Sequence, residues 1–156
     1  MTLALIPRIH RAAHAIGLAL ASDPKLDVTQ AEAHILAHLH ETGEARISEL
    51  HARFGHRRST LTSVLDRLEQ RKLVERRTDL DDRRSFIVAP TRAGRTTAAA
   101  VHRVLSSIED EALADLSGAR RDHAADVLDA VATAAEGAAP ATRRTGSEPV
   151  RVMRRG

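Results

Sequence analysis

The side chains best suited to chemistry lie between positions 56 and 84. His56, Arg57 and Arg58 come first, then Ser59, Thr60, Thr62 and Ser63, then Arg67. An arginine can bond both acceptors of a guanine edge, and small hydroxyls allow close approach to bases and phosphates. A second charged group, Asp82-Arg83-Arg84, follows. By itself an Asp-Arg-Arg loop signals solubility rather than contact. No nucleophile–base pair, phosphate-cradling glycine loop or pair of buried acids accompanies them, so no catalytic residues are expected and the chain does not read as an enzyme.

Histidine is the other candidate. There are nine in 156 residues. His10 and His14 are four apart, as are His34 and His38, and Glu41 continues the second face. Imidazole and carboxylate on one helix face could take zinc or nickel, hold an anion, or titrate near neutral pH. The plainer reading is scattered surface histidine, and neither a metal nor a cofactor is assigned.

These groups need elements to position them. The chain has no Cys, Trp or Tyr, and only Phe54 and Phe86, while 42% of residues are hydrophobic. Leu, Ile, Val and Ala must fill the core, and Ala-rich sequence favours helix. Disulfides, Cys-ligated zinc and thiol sensing are excluded. No apolar run approaches a membrane span. Residues 8–21 resemble a signal peptide superficially, but Ile9, Ala13, Ile16 and Leu20 line one face of an amphipathic helix over 5–21. A cytoplasmic protein is expected.

Thr29 and Glu32 form a capping box for a helix to about Thr42. Ala45-Arg46-Ile47 reads as an extended link, with Ser48 capping a short helix from Glu49 to Phe54. Leu61 is followed by Val64, Leu65 and Leu68, the buried stripe of a helix over about 58–72. That leaves Ser59, Thr60, Ser63 and Arg67 outward. Two strands are predicted, 73–78 and 85–89, joined by the charged loop. Thr91 caps a long helix to about Leu116. Ser117 caps a last one, with Ala124, Leu128, Val131 and Ala135 on one side. Residues 138–156 lack an apolar period and read as a disordered basic tail.

Helix, link, short helix, turn, helix and hairpin make a winged helix-turn-helix in a mainly α protein with a small β-wing. Its third helix is shaped to enter a major groove. Charge agrees. Residues 46–84 carry a net +4 in a chain of net +3, the footprint of a nucleic-acid-binding face.

The run Leu61–Glu69, then Leu73-Val74-Glu75-Arg76, Asp82-Arg83-Arg84 and Thr91-Arg92-Ala93-Gly94 resembles the multiple-antibiotic-resistance regulator (MarR) family. The resemblance is continuous from Thr29 to Gly94. It implies a dimeric transcription factor bound to double-stranded DNA, usually a repressor released by a small anionic effector. It assigns Arg84 to the minor groove and Asp82 to orienting it. A narrow minor groove concentrates negative potential that attracts arginine. The resemblance also places an effector pocket near His14, His34 and His38. Pro90 stands where the family has Leu, and because proline cannot donate to a ladder the second strand should end there.

The expected organisation is one domain over 1–137. It comprises a DNA-binding head at 29–94 and dimerisation helices at 5–21 and 91–137, whose apolar faces call for a second copy. A homodimer would bind a pseudo-palindromic operator. The alternatives are a winged-helix protein-interaction module without DNA binding, and a metal-responsive regulator using the histidine pairs.

Overall fold

The structure is a computed structural model that describes residues 3–55 and 57–138. The described residues fall into two compact units, divided between Asp115 and Leu116. The expected tail lies, beyond Ala138, outside the described residues.

In the first unit, α1 spans Ile6–Ser22, with Pro7 in its first turn, where a missing N–H costs nothing. α2 spans Gln30–Thr42. Its capping box is as the sequence predicts. The Glu32 amide donates to Thr29 Oγ1 at 3.3 Å, and the Thr29 amide donates to Glu32 Oε2 at 2.8 Å. Gly43 ends α2 at φ +79°.

The link is a strand, and this corrects the sequence reading. β1, Ala45–Arg46, pairs antiparallel with β3, Phe86–Pro90, which also pairs with β2, Val74–Thr78. The sheet therefore has three strands in the order β1-β3-β2. β3 does end at Pro90. The next residue, Thr91, supplies the ladder-like bond that proline cannot, donating to the Leu73 carbonyl at 3.0 Å.

α3, Ile47–Phe54, starts earlier than expected. Arg46 takes the cap position, and its amide donates to the Glu49 carboxylate at 2.8 Å. Ser48 lies inside the first turn and is not the cap. α4, Arg58–Gln70, buries Leu61, Val64, Leu65 and Leu68, the predicted stripe. α5, Arg92–Leu113, is capped by Thr91 Oγ1, which accepts from the Gly94 amide at 3.0 Å.

Two buried clusters hold this unit. The larger joins Ile35, Leu36, Leu39, Leu50, Leu61, Leu65, Leu68, Val74 and Val88 from α2, α3, α4 and the sheet. The smaller joins Leu20, Leu26, Ala33 and Val101, with Ile16, Val104 and Leu105 against it. The outer helices thus spend part of their apolar faces within the subunit. Leu5, Ile6 and Leu18 remain exposed.

The second unit contains α6, Gly118–Ala138, which buries no residue. Its Leu128 is 53% exposed. Among the described residues, no helix is long and apolar enough to cross a membrane.

Candidate nucleic-acid interface

The stripe that buries Leu61, Val64, Leu65 and Leu68 fixes the opposite face of α4. Arg57, Arg58, Ser59, Thr60, Thr62, Ser63 and Arg67 are all exposed. Thr62 Oγ1 donates to the Arg58 carbonyl at 2.8 Å, and Ser63 Oγ donates to the Ser59 carbonyl at 2.9 Å. In this state each hydroxyl has used its one proton, and its lone pairs face outward as acceptors. Such an acceptor suits the exocyclic amine of adenine or cytosine.

The β2–β3 hairpin carries Asp82, Arg83 and Arg84 at its tip, all exposed. The tip is organised by its own backbone. The Arg84 amide donates to Asp82 Oδ1 at 3.0 Å, the Ser85 amide to the Asp82 carbonyl at 2.8 Å, and the Asp79 amide to the Ser85 carbonyl at 3.0 Å. Asp82 therefore acts on the main chain of Arg84, and no bond joins its carboxylate to the guanidinium.

The helix and the wing share one open groove of about 760 Å³. Arg58, Leu61 and Thr62 line it from α4, and Asp82, Arg84 and Phe86 from the hairpin and β3. Ile47 and Ser85 line it too, as do Arg46, Ser48 and His51. These three carry no local signal in the sequence, because β1 pairing brings them there.

Ion pairing divides the arginines of this region. Arg46 pairs with Asp79, Arg67 and Arg71 with Glu32, Arg76 with Asp66, and Arg77 with Glu44. The side chains of Arg57, Arg58, Arg83 and Arg84 make no ion pair or hydrogen bond among the described residues. Four unneutralised cations therefore sit at the start of α4 and at the wing tip. The positive end of the α4 dipole adds to them.

Arg67 lies apart from this group. Its Nε donates to Glu32 Oε1 at 3.1 Å, and Arg71 Nη1 approaches Glu32 Oε2 at 3.5 Å. Burial pushes the Glu32 carboxyl up, but the Thr29 and Arg67 bonds outweigh it and hold the group below its ordinary range. Arg67 thus braces α4 against the start of α2, whatever else its half-exposed side chain does.

The histidines are dispersed. His14 is exposed on α1, and His38 stacks edge-on to Phe54 with ring centroids 5.8 Å apart. His34 is half-buried. None of the three lines this groove or a second cavity of about 460 Å³ between α2 and α4. His102 instead meets Glu41 at 3.5 Å and His40 at 4.8 Å between ring centroids. No group of three metal-ligating side chains occurs among the described residues.

The MarR family model matches residues 28–86. Over 81% of its length the chain is similar to the structure of a probable transcriptional regulator from Pseudomonas aeruginosa, covering 96% of that protein at 27% identity and a TM-score of 0.62. The transcription regulator MarR from Oenococcus oeni PSU-1 gives a TM-score of 0.72 at 18% identity, with 83% of this chain and 96% of that one covered. MepR of S. aureus, solved as a MepR–DNA complex, gives 0.69 at 18%, with 86% and 99% covered. No curated protein matches the chain. The stretch matched by the MarR family model, residues 28–86, carries the helix-turn-helix and most of the wing.

Proposed function

We propose that the protein is a transcriptional regulator that binds double-stranded DNA as a homodimer. The observation that carries this reading is the shared groove. Arg58 and Thr62 of α4 and Arg84 of the wing face one open space, and the Arg57, Arg58, Arg83 and Arg84 side chains lack acidic partners among the described residues. The first turns of α4 would enter the major groove with Arg57, Arg58, Ser59, Thr60, Thr62 and Ser63 toward the bases and phosphates. The wing would place Arg84 in the adjacent minor groove, with Arg83 beside it and Asp82 shaping the turn.

The dimer is supported by apolar surface left uncovered on α1 and α6, including Leu18 at 58% and Leu128 at 53% exposed. A twofold axis would place the two α4 helices about 34 Å apart, one turn of DNA. Repression, with release by a small anion, extends the proposal along the family's usual lines. The groove, rather than His14, His34 and His38, carries the reading.

Selection of bound sequences from a random DNA pool tests it directly. An enriched site with two inverted halves about ten base pairs apart is expected, together with a dimer mass in solution by light scattering. A pool that stays unenriched at low salt would overturn the proposal.

A further inference from the structure

Asp79 opens the wing loop, and its side chain is 3% exposed. It is a buried charge in a segment with nothing apolar to bury, since Leu80 beside it is 88% exposed and residues 81–84 are all exposed. Its two oxygens serve different masters. Oδ1 accepts the Asp81 amide at 2.9 Å, inside the loop. Oδ2 accepts Arg46 Nε at 2.6 Å. Arg46 lies opposite Ile87 in the β1–β3 ladder and heads α3. The other hydrogen bonds of the loop, Asp79 to Ser85, Ser85 to Asp82 and Arg84 to Asp82, are internal to it, while Arg46 Nη2 also meets the exposed Asp81 carboxylate at 3.9 Å. The internal bonds fix its shape, and the Arg46 bond fixes its attachment to the helix-turn-helix.

We propose that Asp79 is a positioning residue that, through Arg46, sets where the Arg84 tip stands relative to α4, and so the spacing at which the two DNA contacts can be made together. This rests on the DNA-binding reading above. The alternative, that Asp79 is only another surface charge, makes the opposite prediction for affinity. Asp79→Asn removes a negative charge beside a cationic groove, so simple electrostatics would tighten DNA binding. Loss of positioning weakens it, because Arg84 must then be ordered at the moment of binding.

The test is Asp79→Asn in the full chain, with fluorescence anisotropy on the selected DNA site and on unrelated DNA. We expect about tenfold weaker binding to the selected site, equal to ~1.4 kcal/mol, with binding to unrelated DNA unchanged or tighter. In an Arg84→Ala background the same substitution should cost nothing further, since its effect runs through Arg84. Unchanged or tighter binding to the selected site, or full additivity with Arg84→Ala, overturns the proposal. Hydrogen exchange gives a readout free of DNA. The amides of Asp81, Arg84 and Ser85 should exchange faster in Asp79→Asn while those of α4 do not change, and unaltered wing exchange overturns the proposal even if no DNA site is found. Should Asp79→Asn fail to fold, Arg46→Lys, which keeps the charge but loses the planar fork, carries the same expectations and the same overturning results.

Discussion

Arg67 Nε lies 3.1 Å from Glu32 Oε1, and the Glu32 side chain is 2% exposed. An arginine on the polar side of α4 is thereby tied to a buried carboxylate at the start of α2. Removing it leaves Glu32 with Thr29 and the longer Arg71 contact. Arg67→Ala should lower stability by about 1–2 kcal/mol, the usual range for stripping a buried acceptor of one partner. Urea unfolding measures this, and an unchanged midpoint would remove Arg67 from its structural role.

The same carboxylate gives a pH prediction. In the folded chain Glu32 titrates below its ordinary 4.5, because the Thr29 and Arg67 bonds outweigh burial. Its contribution is therefore complete above that value and is lost as pH falls through the lower folded value. Glu32→Gln should be less stable than the parent at neutral pH. The gap should narrow steadily below about pH 4.5. A gap that stays constant down to acid unfolding would show that the ionised form is not the stabilising one.

How far the sequence revealed these features depends on how local their causes are. The Thr29–Glu32 box and the Leu61–Leu68 stripe are set by residues three or four apart, and both stand where the sequence puts them. β1 was missed because Ala45 and Arg46 are strand only through Val88 and Ile87, some forty residues on. The cap at Arg46 was missed for a related reason: strand pairing extends the chain up to the helix, and Glu49 rather than Ser48 satisfies the free amide. Within the interface, periodicity found the exposed face of α4. It could not separate Arg67, paired across to α2, from Arg57 and Arg58, whose side chains bond to no described residue. Nor could it show that Asp79 is buried among four neighbouring exposed charges.

Gly94 explains the Thr-x-x-Gly run. A Cβ built there would lie 1.7 Å from the Leu73 carbonyl oxygen. That carbonyl is held in place by the Thr91 amide, and Thr91 Oγ1 donates to Lys72 O at 2.7 Å. Helix propensity alone would make Gly94→Ala stabilising by about 1 kcal/mol. The collision is with backbone and cannot relax by a rotamer change. Gly94→Ala should therefore destabilise by ~3 kcal/mol or more, read as a fall in the thermal midpoint. A gain in stability would show that the α4–β2 turn yields easily.

Lys72 sits in that same turn with φ at +57°. The Leu73 amide reaches back to the Leu68 carbonyl at 2.9 Å, closing α4 with a residue in the left-handed region. Glycine is the residue that adopts this region without a Cβ penalty. Its greater freedom in the unfolded chain offsets part of the gain. Lys72→Gly should raise stability by about 0.5–1 kcal/mol, while Lys72→Val should lower it. Chemical denaturation of the pair checks both signs, and a destabilised glycine variant would mean that the lysine side chain holds the turn.

Arg84 is the counterpart of Arg67. It is exposed, its side chain bonds to no described residue, and it lines the groove shared with Arg58 and Thr62. Arg84→Ala should leave the unfolding free energy within about 0.5 kcal/mol of the parent, as for other surface changes without partners. Binding to the selected DNA should weaken by about 1–3 kcal/mol. The slope of log affinity against log salt should fall by roughly one, because one cation fewer displaces counterions. Arg83→Ala, at a tip position outside the lining of the groove, should lose less affinity. Titrations of both variants at several salt concentrations separate the outcomes. Equal losses at the two positions would assign the wing a diffuse electrostatic role, and an unchanged slope for Arg84→Ala would place its guanidinium away from the duplex.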